Sequence, residues 1–157
     1  MDHSIKSVGH VKADGGGCRV QLFSEYIPAL AGLEGFSHIQ LVWWFSGCDN
    51  AAARAKLVQK HPYTKGPGSL GAFATRAPER PNPIALSCAQ VTGVEREKGV
   101  IHLAYIDAED GSPVLDIKPY TPSLDRVEEP AVPDWCAHWP KNTETSGDFD
   151  WAAEFDF

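Results

Sequence analysis

The sequence predicts a mainly β protein: a small antiparallel barrel with short helices and an irregular C-terminal tail. Apolar residues alternate with period two rather than 3.6 over several stretches, as they do in strands that bury one face. Fourteen glycines and twelve prolines among 157 residues indicate frequent turns and short elements. Several short strands separated by turn signals are typical of a closed or nearly closed barrel.

Six strands are predicted. In order along the chain, they are a first strand near Ser4–Val11, then Cys18–Phe23, His38–Phe45, 84–89, 101–105 and Val114–Lys118. The third is rich in β-branched and aromatic residues, which favour a pleated surface. The fourth and fifth are joined across Glu95–Gly99, which supplies turn residues. Prolines on both sides fix the limits of the last strand.

Helices are predicted to be few. Pro28–Leu33 is long enough for about two turns, with Pro28 in the first turn, where its missing N–H costs nothing. Asp49 and Asn50 precede an alanine-rich stretch and predict a capped helix there. The second half of that stretch, Lys56–Lys60, could instead pair as a strand, and the sequence leaves both alternatives open.

Composition divides the chain near residue 122, into a barrel domain over 1–122 and an acidic tail over 123–157. Residues 125–157 contain nine acids and two bases, so they account for the whole net charge of −7. The tail also contains Trp135, Trp139 and Trp151. Side chains of this size are seldom left in water, so we expect the tail to pack on the barrel or on a partner subunit.

Several classes of protein are disfavoured. The N-terminus lacks the charged and apolar regions of a signal peptide, and no stretch approaches the roughly eighteen apolar residues of a membrane span. We therefore expect a cytoplasmic protein that does not enter a membrane. The cysteines at 18, 48, 88 and 136 are far apart, which favours free thiols. Only Cys136 and His138 approach metal-ligand spacing, so no metal is expected.

Basic residues concentrate between positions 54 and 80. This run contains one acid, Glu79, and six bases: Arg54, Lys56, Lys60, Lys65, Arg76 and Arg80. A basic run can be a solvated face or the surface that meets a phosphate-rich partner. Composition alone does not separate the two.

The segment 71–87, GAFATRAPERPNPIALS, is the densest motif. Pro78, Pro81 and Pro83 restrict the backbone and stiffen the loop. Arg76 and Arg80 lie on it, and guanidinium groups on a rigid loop suit anion recognition. The alternative is a structural turn with solvated arginines.

The segment 107–120, DAEDGSPVLDIKPY, is the second motif. By the period of a strand, Asp116, Lys118 and Tyr120 share one face. A carboxylate, an ammonium and a phenol so aligned could hold a polar ligand. Asp116 and Lys118 could equally form a plain surface ion pair.

Three segments carry a resemblance to a known family: LAGLEGFSHIQLVWWF (30–45), GAFATRAPERPNPIALS (71–87) and DGSPVLDIKPY (110–120). Over roughly residues 4–122 the chain resembles the TrmO/TsaA-like family, as a short form without the C-terminal domain of longer members. The resemblance implies a six-stranded antiparallel barrel, a homodimer and S-adenosylmethionine as methyl donor. It also implies methylation of N6 of threonylcarbamoyladenosine, next to the tRNA anticodon.

The resemblance also implies roles for single residues. Those expected to contact the cofactor are Ser46, Gly47, Arg76, Leu86, Ile106, Asp107, Ala108 and Glu109. The catalytic candidates are the cations Arg76, Arg80 and Lys118, which could assist proton loss from the acceptor nitrogen. The substrate-binding candidates are Lys56, Lys60, Lys65, Arg80, Asn82, Asp116 and Tyr120. His38 and His61 are weaker candidates for a base.

Two alternatives to a tRNA methyltransferase stay open. The first is a methyltransferase for a small molecule. The second is a non-catalytic module that binds S-adenosylmethionine or a nucleotide. A P-loop, a G-x-G-x-x-G element and a Ser-His-Asp arrangement are absent from the sequence. Methyl transfer from a sulfonium needs none of them, because alignment of donor and acceptor is the main requirement.

Overall fold

The computed structural model describes residues 4–156 and contains a closed antiparallel barrel of six strands. The strands of the chain are β1 (Gly9–Asp14), β2 (Gly17–Leu22), β3 (His38–Trp44), β4 (Val58–Lys60), β5 (Ser69–Gly71), β6 (Ile84–Glu95), β7 (Val100–Leu103) and β8 (Pro113–Pro119). Around the barrel the order is β1-β2-β7-β6-β3-β8. β4 and β5 form a separate two-stranded sheet. The predicted fold class and the six-stranded barrel are confirmed.

The helices are short, as predicted. The α-helices are α1 (Ala51–Arg54), α2 (Pro122–Asp125), α3 (Thr143–Ser146) and α4 (Trp151–Glu154). Turns of 3-10 helix are formed by Ser24–Leu30, Ser46–Cys48, Ala72–Ala74, Arg96–Lys98 and Asp134–Cys136. The Asn50 side chain accepts a hydrogen bond from the Ala53 N–H, 3.0 Å away, and caps α1 as the sequence predicted.

Alternating side chains fill the barrel. In β3, Ile39, Leu41 and Trp43 are buried. In β6 the small residues Ala85 and Ala89 are the buried ones, whereas Ile84 and Leu86 point outward and are 36% and 48% exposed. Ala85 pairs with Trp43. The tryptophan occupies the interior at this level, so only a small residue fits opposite it.

Contacts divide the chain into two compact units. The first unit comprises Met1–Gly47 and Pro83–Arg126 and contains the barrel. The second comprises Cys48–Asn82 and Val127–Phe157 and contains β4, β5 and the acidic tail. The sequence placed residues 48–82 in the barrel domain. In the structure this segment belongs with the tail, because Tyr63 packs among the tail's aromatic rings.

Several element boundaries were predicted wrongly. The first strand begins at Gly9 rather than near Ser4, and the strand after Gly99 ends at Leu103, short of Tyr105. The predicted helix at Pro28–Leu33 is the 3-10 turn Ser24–Leu30, which begins with a bond from the Tyr26 N–H to the Phe23 carbonyl.

The alanine-rich helix also ends before Lys56–Lys60, the stretch for which the sequence left helix and strand open. α1 stops at Arg54, and Val58–Lys60 forms β4, so the strand alternative holds for the second half. β4 pairs with β5, and its central residue Gln59 is buried. The Gln59 amide donates to the Glu79 carbonyl at 2.9 Å. Among residues 4–156, no helix has the length and apolar character of a membrane span.

Candidate cofactor and substrate site

One outer face of the barrel brings several predicted site residues together. Val42 in β3 is paired with Asp116 in β8 and with Leu86 in β6. Two residues earlier in β3, Gln40 is paired with Lys118. Residues paired across strands point to the same side of the sheet. Leu86, Asp116 and Lys118 therefore lie on one face, although the sequence assigned Leu86 to one motif and the other two residues to another.

Asp116 and Lys118 form an ion pair on this face, with 2.7 Å between Lys118 Nζ and Asp116 Oδ2. The hydrogen bond to Asp116 raises the pKa of Lys118, so the ammonium stays charged. Both side chains are more than half exposed, and such a pair contributes little to stability. Tyr120 follows β8, and its N–H donates to the His38 carbonyl at 3.0 Å. The rings of Tyr120 and His38 are 6.2 Å apart, which places the phenol beside the same face.

The Ser46-Gly47 pair lies at the end of β3. Trp44, the last residue of β3, pairs with Ile84, the first of β6, and the next residue, Phe45, donates its N–H to the Pro83 carbonyl at 2.8 Å. Leu86 is therefore close in register to the end of β3. Both Ser46 and Gly47 are exposed.

The connection 106–109 leads towards the same end of the barrel. Trp43, near the end of β3, is paired with Val114, near the start of β8. The connection ends four residues before Pro113, with the Glu109 carbonyl accepting from the Ser112 N–H at 3.1 Å. Three of the predicted cofactor elements therefore converge by topology: the Ser46-Gly47 turn, the start of β6 and the approach to β8.

The connection 106–109 contains one buried side chain and two exposed carboxylates. Ile106 is 5% exposed and packs in the core, which fixes the segment. Asp107 and Glu109 are exposed to solvent. Burial and the nearby Asp107 carboxylate raise the pKa of Tyr105. The resemblance implies S-adenosylmethionine as ligand, whose sulfonium and ammonium suit the exposed carboxylates of this segment and whose flat adenine suits the exposed apolar side chain of Leu86.

The second unit contains the proline-rich loop and its arginines. Thr75 is buried, and its hydroxyl donates to the Ala72 carbonyl at 3.1 Å. The Thr75 hydroxyl oxygen also accepts a hydrogen bond from the Ala77 N–H at 3.3 Å. Arg80 Nη1 donates to the Thr75 and Ala77 carbonyls at 3.3 and 3.4 Å. Arg80 therefore braces the loop that contains Arg76, besides the role that the sequence predicted for it.

Acids within the second unit pair with part of the basic run. Arg54 pairs with Asp49, with 2.6 Å between Nε and Oδ1, and Lys56 pairs with Glu79. Lys60 and Lys65 are exposed to solvent. The positive charge of the run is thus partly compensated, and Lys60 and Lys65 are its better candidates for phosphate contacts. Asn82 is also exposed.

Tyr63 is the residue that sequence reasoning missed. Its ring lies 5.2 Å from Trp135 and 5.0 Å from Trp139, between centroids. The tail tryptophans predicted a packing partner, but no pattern in the sequence pointed to Tyr63 as that partner. Tyr63 and these tryptophans are far apart along the chain, so no local periodicity in the sequence indicates that they are in contact.

Of the weaker base candidates, His38 lies beside Tyr120, whereas His61 follows β4 in the second unit. Within residues 4–156, no group of three His, Cys, Asp or Glu side chains could hold a metal. Cys136 is buried and its thiol donates to the Pro133 carbonyl at 3.3 Å, whereas His138 Nε2 lies 2.8 Å from Glu154. The His61 N–H donates to the Gly68 carbonyl at 3.0 Å.

Comparison with known proteins identifies similar sequences. Residues 9–126 match the family model of the tRNA-methyltransferase O N-terminal domain. A probable S-adenosyl-L-methionine-binding protein of Pyrococcus abyssi is 40% identical over 106 residues, which are 68% of this chain and 53% of that protein. The human tRNA (adenine(37)-N6)-methyltransferase is 37% identical over 115 residues, 73% of this chain and 25% of the human one.

A solved structure is also similar. The crystal structure of TrmO from Pseudomonas aeruginosa matches with a TM-score of 0.63 and 31% identity, covering 83% of this chain and 62% of that one. The chain thus spans about half the length of the Pyrococcus relative and a quarter of the human one.

Proposed function

We propose that this chain, which belongs to the family of the tRNA-methyltransferase O N-terminal domain, is an S-adenosylmethionine-dependent methyltransferase that acts on tRNA. Its acceptor is N6 of threonylcarbamoyladenosine next to the anticodon. The family match over residues 9–126 carries the proposal, because that range contains the barrel face with Leu86, Asp116 and Lys118. The names of relatives that bind S-adenosylmethionine or methylate tRNA adenine support it.

The barrel residues hold the donor in this proposal. When bound, S-adenosylmethionine supplies an electrophilic methyl: the C–N bond to N6 forms as the S–CH3 bond breaks, and the N6 proton is lost to solvent. Ser46, Gly47, Leu86 and the segment Ile106–Glu109 contact the donor. The carboxylates of Asp107 and Glu109 suit its cationic groups. Arg76 contacts it from the proline-rich loop.

Cationic side chains bind and activate the methyl acceptor in this proposal. The threonylcarbamoyl group carries a carboxylate, and negative charge develops on N6 as its proton leaves. Arg76, Arg80 and Lys118 stabilise that charge or pair with the carboxylate. Asn82, Asp116 and Tyr120 contact the modified base, and Lys56, Lys60 and Lys65 contact the backbone phosphates. Cytoplasmic residence and a homodimer are part of the same proposal, and light scattering at micromolar concentration tests the dimer.

Donor binding is tested first, by calorimetry. Leu86→Lys places a positive charge on the apolar part of the barrel face and should weaken binding of the cationic donor about tenfold or more, since the added like charge repels it. Leu124→Lys is the matched control, because Leu124 is 87% exposed on α2 and lies outside the predicted site. Equal affinity in both variants would remove Leu86 from the site. No binding by the wild type at millimolar donor would refute the function.

The acceptor is tested by methyl incorporation into tRNA. Wild-type protein should methylate tRNA that contains threonylcarbamoyladenosine and leave tRNA without this group unchanged. Donor binding without tRNA methylation would favour the small-molecule enzyme or the non-catalytic module.

Two kinds of variant separate docking from chemistry. Lys60→Ala with Lys65→Ala should weaken tRNA binding and reduce its salt dependence, because phosphate contacts release counterions. Lys98→Ala, a 73% exposed lysine on a barrel turn, is the control. Arg80→Lys should lower turnover with little effect on tRNA affinity, because the bidentate fork is lost. Unchanged turnover in Arg80→Lys would remove Arg80 from the acceptor site.

A further inference from the structure

Aromatic rings of the tail enclose Tyr63. Its ring stacks on Trp135, with centroids 5.2 Å apart, and meets Trp139 edge-on at 5.0 Å. Phe155, near the end of the described chain, contributes a third ring at 5.9 Å. Paired aromatic rings stabilise each other beyond the area they bury. Tyr63 is therefore held by residues from both ends of the segment 135–155.

Main-chain hydrogen bonds fix the same contact. The Thr64 N–H donates to the Glu154 carbonyl at 2.9 Å, and the Asp156 N–H donates to the Pro62 carbonyl at 3.4 Å. Tyr63 and Phe155 form an isolated antiparallel β-bridge. The tail thus adds a short extended segment to residues 62–64, so the main chain as well as the side chain of Tyr63 is docked.

A buried carboxylate braces the tail internally. Glu154 is 4% exposed and accepts hydrogen bonds from His138 Nε2 at 2.8 Å and from Trp139 Nε1 at 2.9 Å. Burial alone would raise the pKa of Glu154, but the bonds from His138 and Trp139 outweigh it, and the pKa is lowered. Lys65 also lowers it. The carboxylate therefore ties α4 to the tryptophan that contacts Tyr63.

The Tyr63 phenol reaches the proline-rich loop. It is hydrogen-bonded to the main chain of Arg76, and this bond lowers a phenol pKa that burial raises. Tyr63 is consequently in contact with both the tail and the first arginine of the loop. Within the loop, Thr75 and Arg80 make further bonds to its main chain, and from outside it the Gln59 amide donates to the Glu79 carbonyl at 2.9 Å.

We infer that Tyr63 is a positioning residue, which transmits the docking of the tail to the main chain of Arg76 and so holds the proline-rich loop ready for the donor. The inference rests on the proposed function, in which Arg76 contacts S-adenosylmethionine. A loop that is ordered before binding loses less conformational entropy when the ligand arrives. The acidic tail then contributes to donor affinity without contacting the donor.

The test uses the full-length protein and removes only the phenol oxygen. Tyr63→Phe keeps the ring among the tail tryptophans and deletes the bond to Arg76. Amide hydrogen exchange at residues 76–80 should accelerate, and the dissociation constant for S-adenosylmethionine should rise about threefold to tenfold, as for one lost hydrogen bond. Tyr26→Phe, in the 3-10 turn of the barrel unit, is the matched control and should change neither quantity.

A second pair of variants tests the tail. Trp135→Ala leaves the phenol in place but removes the stacked ring, so exchange at residues 76–80 should again accelerate and donor affinity should fall. Trp135→Phe restores a ring and should recover most of both effects. A purely structural role would lower the melting temperature in Trp135→Ala without changing donor affinity in the folded protein.

The outcomes separate the two proposals. Unchanged exchange at residues 76–80 in Tyr63→Phe would overturn the inference, whatever the protein binds. Faster exchange with an unchanged dissociation constant would also overturn it, because the loop would move without consequence for the donor. If the wild type binds no S-adenosylmethionine, the proposed function fails, and the exchange experiment still decides whether the tail orders the loop.

Discussion

Gly9 lies at the point where the first and last barrel strands pair. It pairs with Leu22 of β2 and with Val114 of β8, so it lies in the seam between the first strand and both neighbours. A Cβ at this position would lie 2.3 Å from the Gln21 carbonyl oxygen and 2.9 Å from the Leu22 Cα. Both atoms belong to the backbone of β2, so no side-chain rotation relieves the overlap.

We expect Gly9→Ala to be strongly destabilising. Real Cβ contacts essentially never fall below 3.0 Å, so β1 and β2 must separate by about 0.7 Å at this point. Overpacking in a rigid core costs about 1–3 kcal/mol, and a displaced backbone in the seam puts the cost at ~3 kcal/mol. In a protein of this size, that lowers the melting temperature by ~6–12 °C.

The assay is thermal unfolding followed by circular dichroism, with Gly15→Ala as the control. A Cβ on Gly15 meets nothing within 4 Å, so this variant should unfold with the wild type or slightly above it. If Gly9→Ala melts together with Gly15→Ala, the β1–β2 register at the seam is not as described.

Three further outcomes are expected. Gly99→Ala should cost more than Gly111→Ala: both have a left-handed φ, +66° and +84°, worth ~1–2 kcal/mol, but only Gly99 would place a Cβ 2.7 Å from Ile27 Cγ1. Ile39→Ala should cost ~2–5 kcal/mol in urea unfolding, because Ile39 is fully buried. The third outcome concerns Glu154, whose pKa is lowered on folding, so its contribution to stability is present above the ordinary value of 4.5 and is lost as the pH falls below it. Glu154→Gln should therefore be less stable at neutral pH and lose less stability on acidification, and equal acid sensitivity would contradict a buried, hydrogen-bonded carboxylate at Glu154.

The barrel was predictable because alternation is a local property. His38–Phe45 differs from β3 by a single residue, and the prolines bounded β8 as expected. Which residues of β6 face the barrel interior was harder to predict from the sequence. Whether Ala85 or Leu86 faces inward depends on the space left by Trp43 on the neighbouring strand, and sequence alternation gives two faces without saying which is inside.

The candidate site was predictable in part, for the same reason. Period two correctly placed Asp116 and Lys118 on one face, but Leu86 joins them only through the register of two strand pairs at Val42. Register between distant strands is set by packing and turns. The association of Tyr63 with the tail depends on contacts about seventy to ninety residues apart along the chain, for which local propensity carries no information. The roles assigned to individual site residues stay predictions.

The pairing of Trp44 with Ile84 has an evolutionary consequence. The chain leaves the barrel and returns to it at two directly opposed positions, and the hydrogen bond from Phe45 to Pro83 closes the gap one step further. An excursion whose ends already meet can be lengthened, shortened or exchanged without changing the register of any barrel strand, and each doubling of its length costs only ~0.6 kcal/mol of closure entropy. Descendants of one barrel could therefore acquire new acceptors by replacing this insertion while the scaffold stays constant. For protein engineering, the same two positions are a natural graft point.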